Sequence, residues 1–167
     1  MKVIETERLL LRQITLADAP FYVELLNSKG WLTYIGDRKV RSVADAEAYI
    51  QKYYLPTYEK YGYGSYTVRL KECGTTIGTV GLYRRENLDH PDIGFAFLES
   101  YAGKGYGFEA TSALIRYVKN HFEITTILGF TMRENQASIA LLQKLGLQEI
   151  GVYLFEREAE ELLLFSN

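Results

Sequence analysis

Gly103, Gly105 and Gly107 lie between an apolar run and an amphipathic helical pattern, within IGFAFLESYAGKGYGFEATSALIRYVKNHF at 93–122, and that arrangement can hold phosphate. The first N–H groups of a helix have no intrahelical partners and carry the positive end of its dipole, and glycines ahead of them keep side chains out of the path of an approaching anion. The spacing excludes two phosphate motifs. A dinucleotide fingerprint begun at Gly103 would need glycine at Phe108, and a P-loop would need lysine followed by serine or threonine after its last glycine. The glycines still let a pyrophosphate approach the backbone, with Lys104 a candidate side-chain contact. Other reactive types are sparse. Cys73 stands alone in the turn KECGTT, and with His90 and His121 it offers no metal-ligand spacing, so no metal is expected.

The elements that must position this loop follow from pattern. Residues 7–13 read as a strand, and Thr15 with Asp18 is a helix start signal. Ser42 precedes a second helix, VADAEAYIQKYY, with Ala44, Ala48 and Tyr53 among its inward positions. SYTVRL alternates with Tyr66, Val68 and Leu70 on one face, and TTIGTVGLY returns antiparallel with Ile77, Val80 and Leu82. DIGFAFL is apolar on both faces, as a strand covered on both sides should be. After the loop, Ala110, Ala113, Leu114, Tyr117, Val118 and Phe122 form one helical stripe. Residues 127–131 make a further strand, joined to DIGFAFL across a helix and so most simply parallel to it. A helix starting near Asn135 ends at Gly146, and LQEIGVYL and ELLLF close the sheet.

The loop resembles the acetyl-CoA loop of the GNAT N-acetyltransferase superfamily, Q/R-x-x-G-x-G/A, with Gly105 and Gly107 at the small positions and Ala102 where Gln or Arg is usual. Two more segments in the expected order carry the resemblance over 6–151. TERLLLRQIT at 6–15 is similar to the first strand of the branch that acetylates ribosomal-protein N-termini. RENQASIALLQKLGLQEIG at 133–151 resembles the second cofactor segment, with Asn135, Ser138, Lys144, Leu145 and Gly146 fitting and Leu147 in place of phenylalanine. The resemblance implies an α/β (α+β) fold in a single domain over 1–167. It would have a mixed, mostly antiparallel sheet of six to seven strands, about four flanking helices, and splayed parallel fourth and fifth strands.

It also implies an acetyl-CoA-dependent N-acetyltransferase acting by direct attack on a primary amine. A peptide or ribosomal-protein N-terminal α-amine is favoured over a small amine. A CoA-binding sensor without turnover is the alternative. In relatives the pantetheine arm lies between the splayed strands, which would engage backbone groups of Ala96, Phe97 and Leu98, with Gly103, Lys104, Gly105, Tyr106, Gly107 and Phe108 on the diphosphate and Asn135 and Ser138 beside the arm. Asp92 is the expected proton acceptor, with Glu99 second. Ser138 would attend the leaving sulfur, because the tyrosine many relatives carry seven residues after the asparagine is Leu142 here. Trp31 and Tyr34 match acceptor contacts.

Bulk properties agree. The 167 residues suit one domain, and hydrophobic (47%) and charged (24%) fractions are those of an ordinary globular chain. A net charge of −2 argues against a broad nucleic-acid surface. With no apolar leader, and no run near the roughly 18 apolar residues of a membrane span, the cytoplasm is the expected location; the family resemblance implies a monomer or homodimer.

Overall fold

In a computed structural model, residues 3–156 and 158–167 are described. One eight-stranded sheet runs in the order β1-β2-β3-β4-β5-β6-β8-β7, formed by Val3–Glu5, Leu9–Gln13, Ser65–Leu70, Thr76–Tyr83, Asp92–Phe97, Leu128–Thr131, Gln148–Tyr153 and Leu162–Ser166 as β1 to β8. Every neighbouring pair is antiparallel except β5 and β6. The mixed, mostly antiparallel α/β architecture is the expected one, and Val3–Glu5 adds an edge strand that three residues of sequence do not announce.

The two faces bury different cores. On one, α5 (Tyr106–Phe122) and α6 (Gln136–Lys144) cover Tyr66, Val80, Ile93 and Phe165 through Ala110, Leu114, Val118 and Leu142. On the other, α1 (Ala19–Leu26), α2 (Lys29–Tyr34) and α3 (Val43–Tyr49) enclose Tyr22, Leu25, Trp31, Ala46, Ile50 and Tyr54. The start signal at Thr15 is a capping box with Asp18, which opens a short 3-10 turn before α1.

α3 corrects the expected inward stripe. Ala44, Ala48 and Tyr53 are exposed, and Ala46, Ile50 and Tyr54 are buried instead. The difference is already set within α3, where Ala46 and not its neighbours two residues away enters the helical core, and the same face continues through a π-helical turn over Ile50–Tyr54, running into α4 (Leu55–Tyr61). Pro56 has no N–H to bond back to Lys52, and the widened turn accommodates that gap while keeping residues four apart on one face. Among the described residues, no helix is long and apolar enough to cross a membrane.

The functional feature is the β5–β6 junction. β4 pairs with all of β5, from Tyr83 opposite Asp92 to Gly78 opposite Phe97, but β6 pairs with β5 only at Asp92–Leu128 and Ile93–Gly129. Beyond that point β6 stays with β8, and a gap opens in the middle of the sheet.

Candidate active site

Hydrogen-bond direction alternates along a strand, so the groups that face the gap can be read from its two ends. Leu98 N donates to Ile77 O on the β4 side (3.0 Å), and Pro91 O accepts from Leu128 N on the β6 side (2.9 Å). Even-numbered residues of β5 therefore turn their backbone groups to β4, and odd-numbered ones turn theirs to β6. Ile93 is still inside the ladder, whereas Phe95 and Phe97 present an N–H and a C=O each to the gap. Of the backbone positions expected from sequence, Phe97 faces the gap, Ala96 and Leu98 face β4, and Phe95 is the position that sequence alone missed.

The glycine loop starts where β5 ends. A 3-10 turn over Glu99–Tyr101 and an extended Ala102 lead to Gly103 at φ 73°, exposed Lys104 and Gly105 at φ 81°. These left-handed conformations explain glycine at both positions. Gly105 is the N-cap of α5 and supplies no side chain, so no side chain caps the helix. A Cβ at Gly103 would meet nothing within 4 Å, and one at Gly107 would press on Leu141 at 3.2 Å, so Gly107 serves close packing of α5 on α6. The Lys104 ammonium lies 5.5 Å from the Tyr101 ring centroid, and that of Lys144 lies 4.4 Å from the Phe108 ring.

Sequence reasoning also missed what holds this loop from outside. Arg8, just before β2, donates from Nε to Glu109 Oε2 (2.7 Å) and from a terminal nitrogen to Lys104 O (3.0 Å). Its backbone N–H (2.8 Å) and Thr6 Oγ1 (2.6 Å) both donate to Glu109 Oε1. Burial alone would raise the Glu109 carboxyl, and these bonds more than reverse it, leaving it below the usual carboxylate range.

Asp92 opens β5 on the face covered by α1 to α3 and is 4% exposed. Arg85 grips both its oxygens, Nε to Oδ1 at 2.7 Å and a terminal nitrogen to Oδ2 at 3.2 Å, and the guanidinium carbon rests 4.7 Å from the Phe155 ring centroid. Burial raises the Asp92 pKa, and Arg85 offsets part of that rise. Tyr83 lies across the glycines beside it: a Cβ on Gly94 would stand 2.6 Å from its ring and one on Gly81 2.6 Å from its hydroxyl. Burial pushes Tyr83 up to about 12, and its hydroxyl accepts from Ser65 Oγ at 2.8 Å. Glu99 is exposed in the 3-10 turn that follows β5.

Across the gap, α6 follows the end of β6. Asn135 caps it, Oδ1 accepting from Ser138 N at 3.2 Å, which leaves its amide NH₂ for other partners, and Ser138 is half-buried in the first turn. Leu142 is core, packed over Gly129. Trp31 is 7% exposed inside the helical core, and among the described residues its indole N–H has no partner; Tyr34, one turn on, is exposed.

Residues 8–148 match the Acetyltransferase (GNAT) domain family, and the chain belongs to that family. Among proteins with sequence similarity is the uncharacterized N-acetyltransferase YoaA of Bacillus subtilis, 27% identical over 151 residues, covering 90% of this chain and 85% of that protein. The fold is shared with RimL, the ribosomal L7/L12 alpha-N-protein acetyltransferase, in complex with coenzyme A. That likeness has a TM-score of 0.84 at 18% identity, covering 99% of this chain and 97% of that one. It is also shared with the Salmonella typhimurium acetyl transferase that modifies the N-terminal serine of 50S subunit protein L7/L12, with a TM-score of 0.83 at 17% identity, covering 99% and 98%.

Proposed function

We propose that this chain, as one N-acetyltransferase domain, moves an acetyl group from acetyl-CoA to a primary amine, the N-terminal α-amine of a peptide or ribosomal protein being the favoured acceptor. The observation that carries the proposal is the junction of two features: a sheet gap with the Phe95 and Phe97 main chain unsatisfied on one wall, and an uncapped glycine turn opening α5 at its end. An amide-rich arm suits the first and a diphosphate the second. Phe95 and Phe97 would hold pantetheine, the 103–108 turn the diphosphate, and the Asn135 amide and Ser138 the far side of the arm.

When bound, acetyl-CoA supplies an acetyl thioester as the electrophile. The chain's own residues do the rest. α-Amino groups titrate near ~7.7–8.0, so an acceptor arrives largely protonated near neutral pH. Asp92, ionised beside Arg85, takes that proton directly or through a water and frees the nitrogen lone pair. Phe95 N–H, the first unpaired donor at the mouth of the gap, stabilises the charge that develops on the carbonyl oxygen. Ser138 donates a hydrogen bond to the sulfur as the carbon–sulfur bond breaks, and the second proton, shed by the nitrogen as the amide forms, goes to the departing sulfur, which leaves as the thiol.

A thiol-release assay with acetyl-CoA against N-terminal peptides, polyamines, amino acids and aminoglycosides tests the reading. Turnover greatest with peptides is expected. Turnover with the small amines alone would overturn the acceptor assignment, and CoA binding without thiol release would make the chain a sensor.

A further inference from the structure

We propose that Arg8, seated on the turn that Thr6 closes, is a positioning residue for the diphosphate turn, holding 103–108 in its binding shape from outside the loop; this rests on the reading of that turn as the acetyl-CoA diphosphate site. The loop has little to hold it by itself. Gly103 and Gly105 are the residues with the most conformational freedom to lose, and Ala102 reaches no partner across the turn with its methyl group. A binding loop that must be ordered by its ligand gives up affinity, and one ordered beforehand keeps it.

Arg8 supplies the order from about a hundred residues away in sequence. One guanidinium engages the turn at three points: the carbonyl of Lys104 between the glycines, the Glu109 carboxylate in the first turn of α5, and the face of Tyr106, 4.4 Å away. Its remaining terminal nitrogen lies 3.3 Å from the place a Gly105 Cβ would occupy. A planar guanidinium with donors on several sides can do this, and a single ammonium cannot.

The platform beneath Arg8 is fixed. Thr6 N donates to Leu9 O and Leu9 N to Thr6 Oγ1, and Lys71 ties the same turn to the end of β3, its N–H bonding Arg8 O and its ammonium bonding Thr6 O at 2.9 Å each.

Charge gives a second reason. Glu109 is acidic in the first turn of α5, among the amides a diphosphate would use. A lone carboxylate there complements the helix dipole but repels a phosphate. Arg8 and Thr6 saturate it, so the amides remain attractive to the larger anion.

The test compares Arg8→Gln and Arg8→Lys with the unaltered protein. CoA affinity is measured by calorimetry and steady-state kinetics with acetyl-CoA and with S-acetylpantetheine, which has no diphosphate. Arg8→Gln is expected to weaken CoA and raise the KM for acetyl-CoA on the order of tenfold with kcat within about twofold, and to leave little penalty with S-acetylpantetheine. Arg8→Lys should fold like the parent, keeping one bond to Glu109, and still lose affinity for CoA in the same direction. Unchanged CoA affinity in both variants, or equal losses with both donors, would overturn the role of Arg8. If the unaltered protein does not itself prefer acetyl-CoA over S-acetylpantetheine, the diphosphate site falls instead, a result distinguishable from failure of Arg8 alone.

Discussion

Asp92 is costly to keep where it is. Burial lifts its pKa above the usual carboxylate value, and Arg85 recovers only part of the difference. The folded state therefore binds a proton more readily than the unfolded one between the unfolded value of ~3.9 and the raised native value, and the ionised group subtracts stability above that window. The cost is relieved as pH falls through the native pKa, the opposite of an Asp that is stabilised by its salt bridge. Asp92→Asn keeps an oxygen for Arg85, and Arg85, 46% exposed, can turn to water. Its melting temperature at neutral pH should be equal to or above the parent's while kcat falls by roughly 10²-fold or more, the usual contribution of a general base. The acidic limb of the pH–rate profile should disappear with it. A variant that melts clearly lower and retains its turnover would make Asp92 a structural anchor and pass proton transfer to another group.

At the scale of elements, legibility divides by the range of the forces involved. The strand–glycine–helix junction, the capping box at Thr15 and the Gly146 stop depend on neighbours in sequence, and all three are where their residue types put them. The inward stripe of α3 was not legible, because alanine suits either face of a helix: Ala44 and Ala48 face out, Ala46 faces in, and only packing in the core with α1 and α2 decides between them. Arg8 was legible only as part of a motif. Its partners are at Lys104 and Glu109, and nothing in the sequence spacing connects them. Phe95 needed the strand alternation, which is fixed by the bonds at Leu98 and Pro91 and not by composition. Leu142 shows how an element can close off a chemical option. Many relatives carry tyrosine there, but a Cβ on Gly129 would already come within 2.7 Å of Leu142 Cδ2, and Leu142 is 1% exposed. Leu142→Tyr should overpack the α6–β6 contact at a cost of roughly 1–3 kcal/mol and lower the melting temperature by several degrees, with no gain in turnover. A variant that melts unchanged and turns over faster would mean that α6 can shift to admit the ring.

For the whole molecule, the sheet interior holds something a purely structural sheet would avoid, namely backbone groups without ladder partners. Past Ile93 and Gly129 the ladder between β5 and β6 stops, so Phe95 and Phe97 have no partner strand on that side, while β5 stays paired with β4 and β6 with β8. The cost of leaving such groups unsatisfied is offset when an amide-rich ligand completes the ladder. Coenzyme A should therefore act on the molecule as a missing strand. At about 100 times its Kd it would add about 2.7 kcal/mol, raising the melting temperature by roughly 5–10 °C in a chain of this size. Hydrogen exchange would locate the effect. The amides of Phe95 and Phe97 should slow on binding, together with those of Tyr106, Gly107 and Phe108, while Ala96, already turned to its partner Thr79 in β4, should change little. Protection spread evenly over the sheet would describe general tightening, and protection at 106–108 without Phe95 and Phe97 would put the arm outside the gap. The alternation within β5 is the discriminating signature, because only a ligand lying between β5 and β6 can distinguish odd from even residues of one strand.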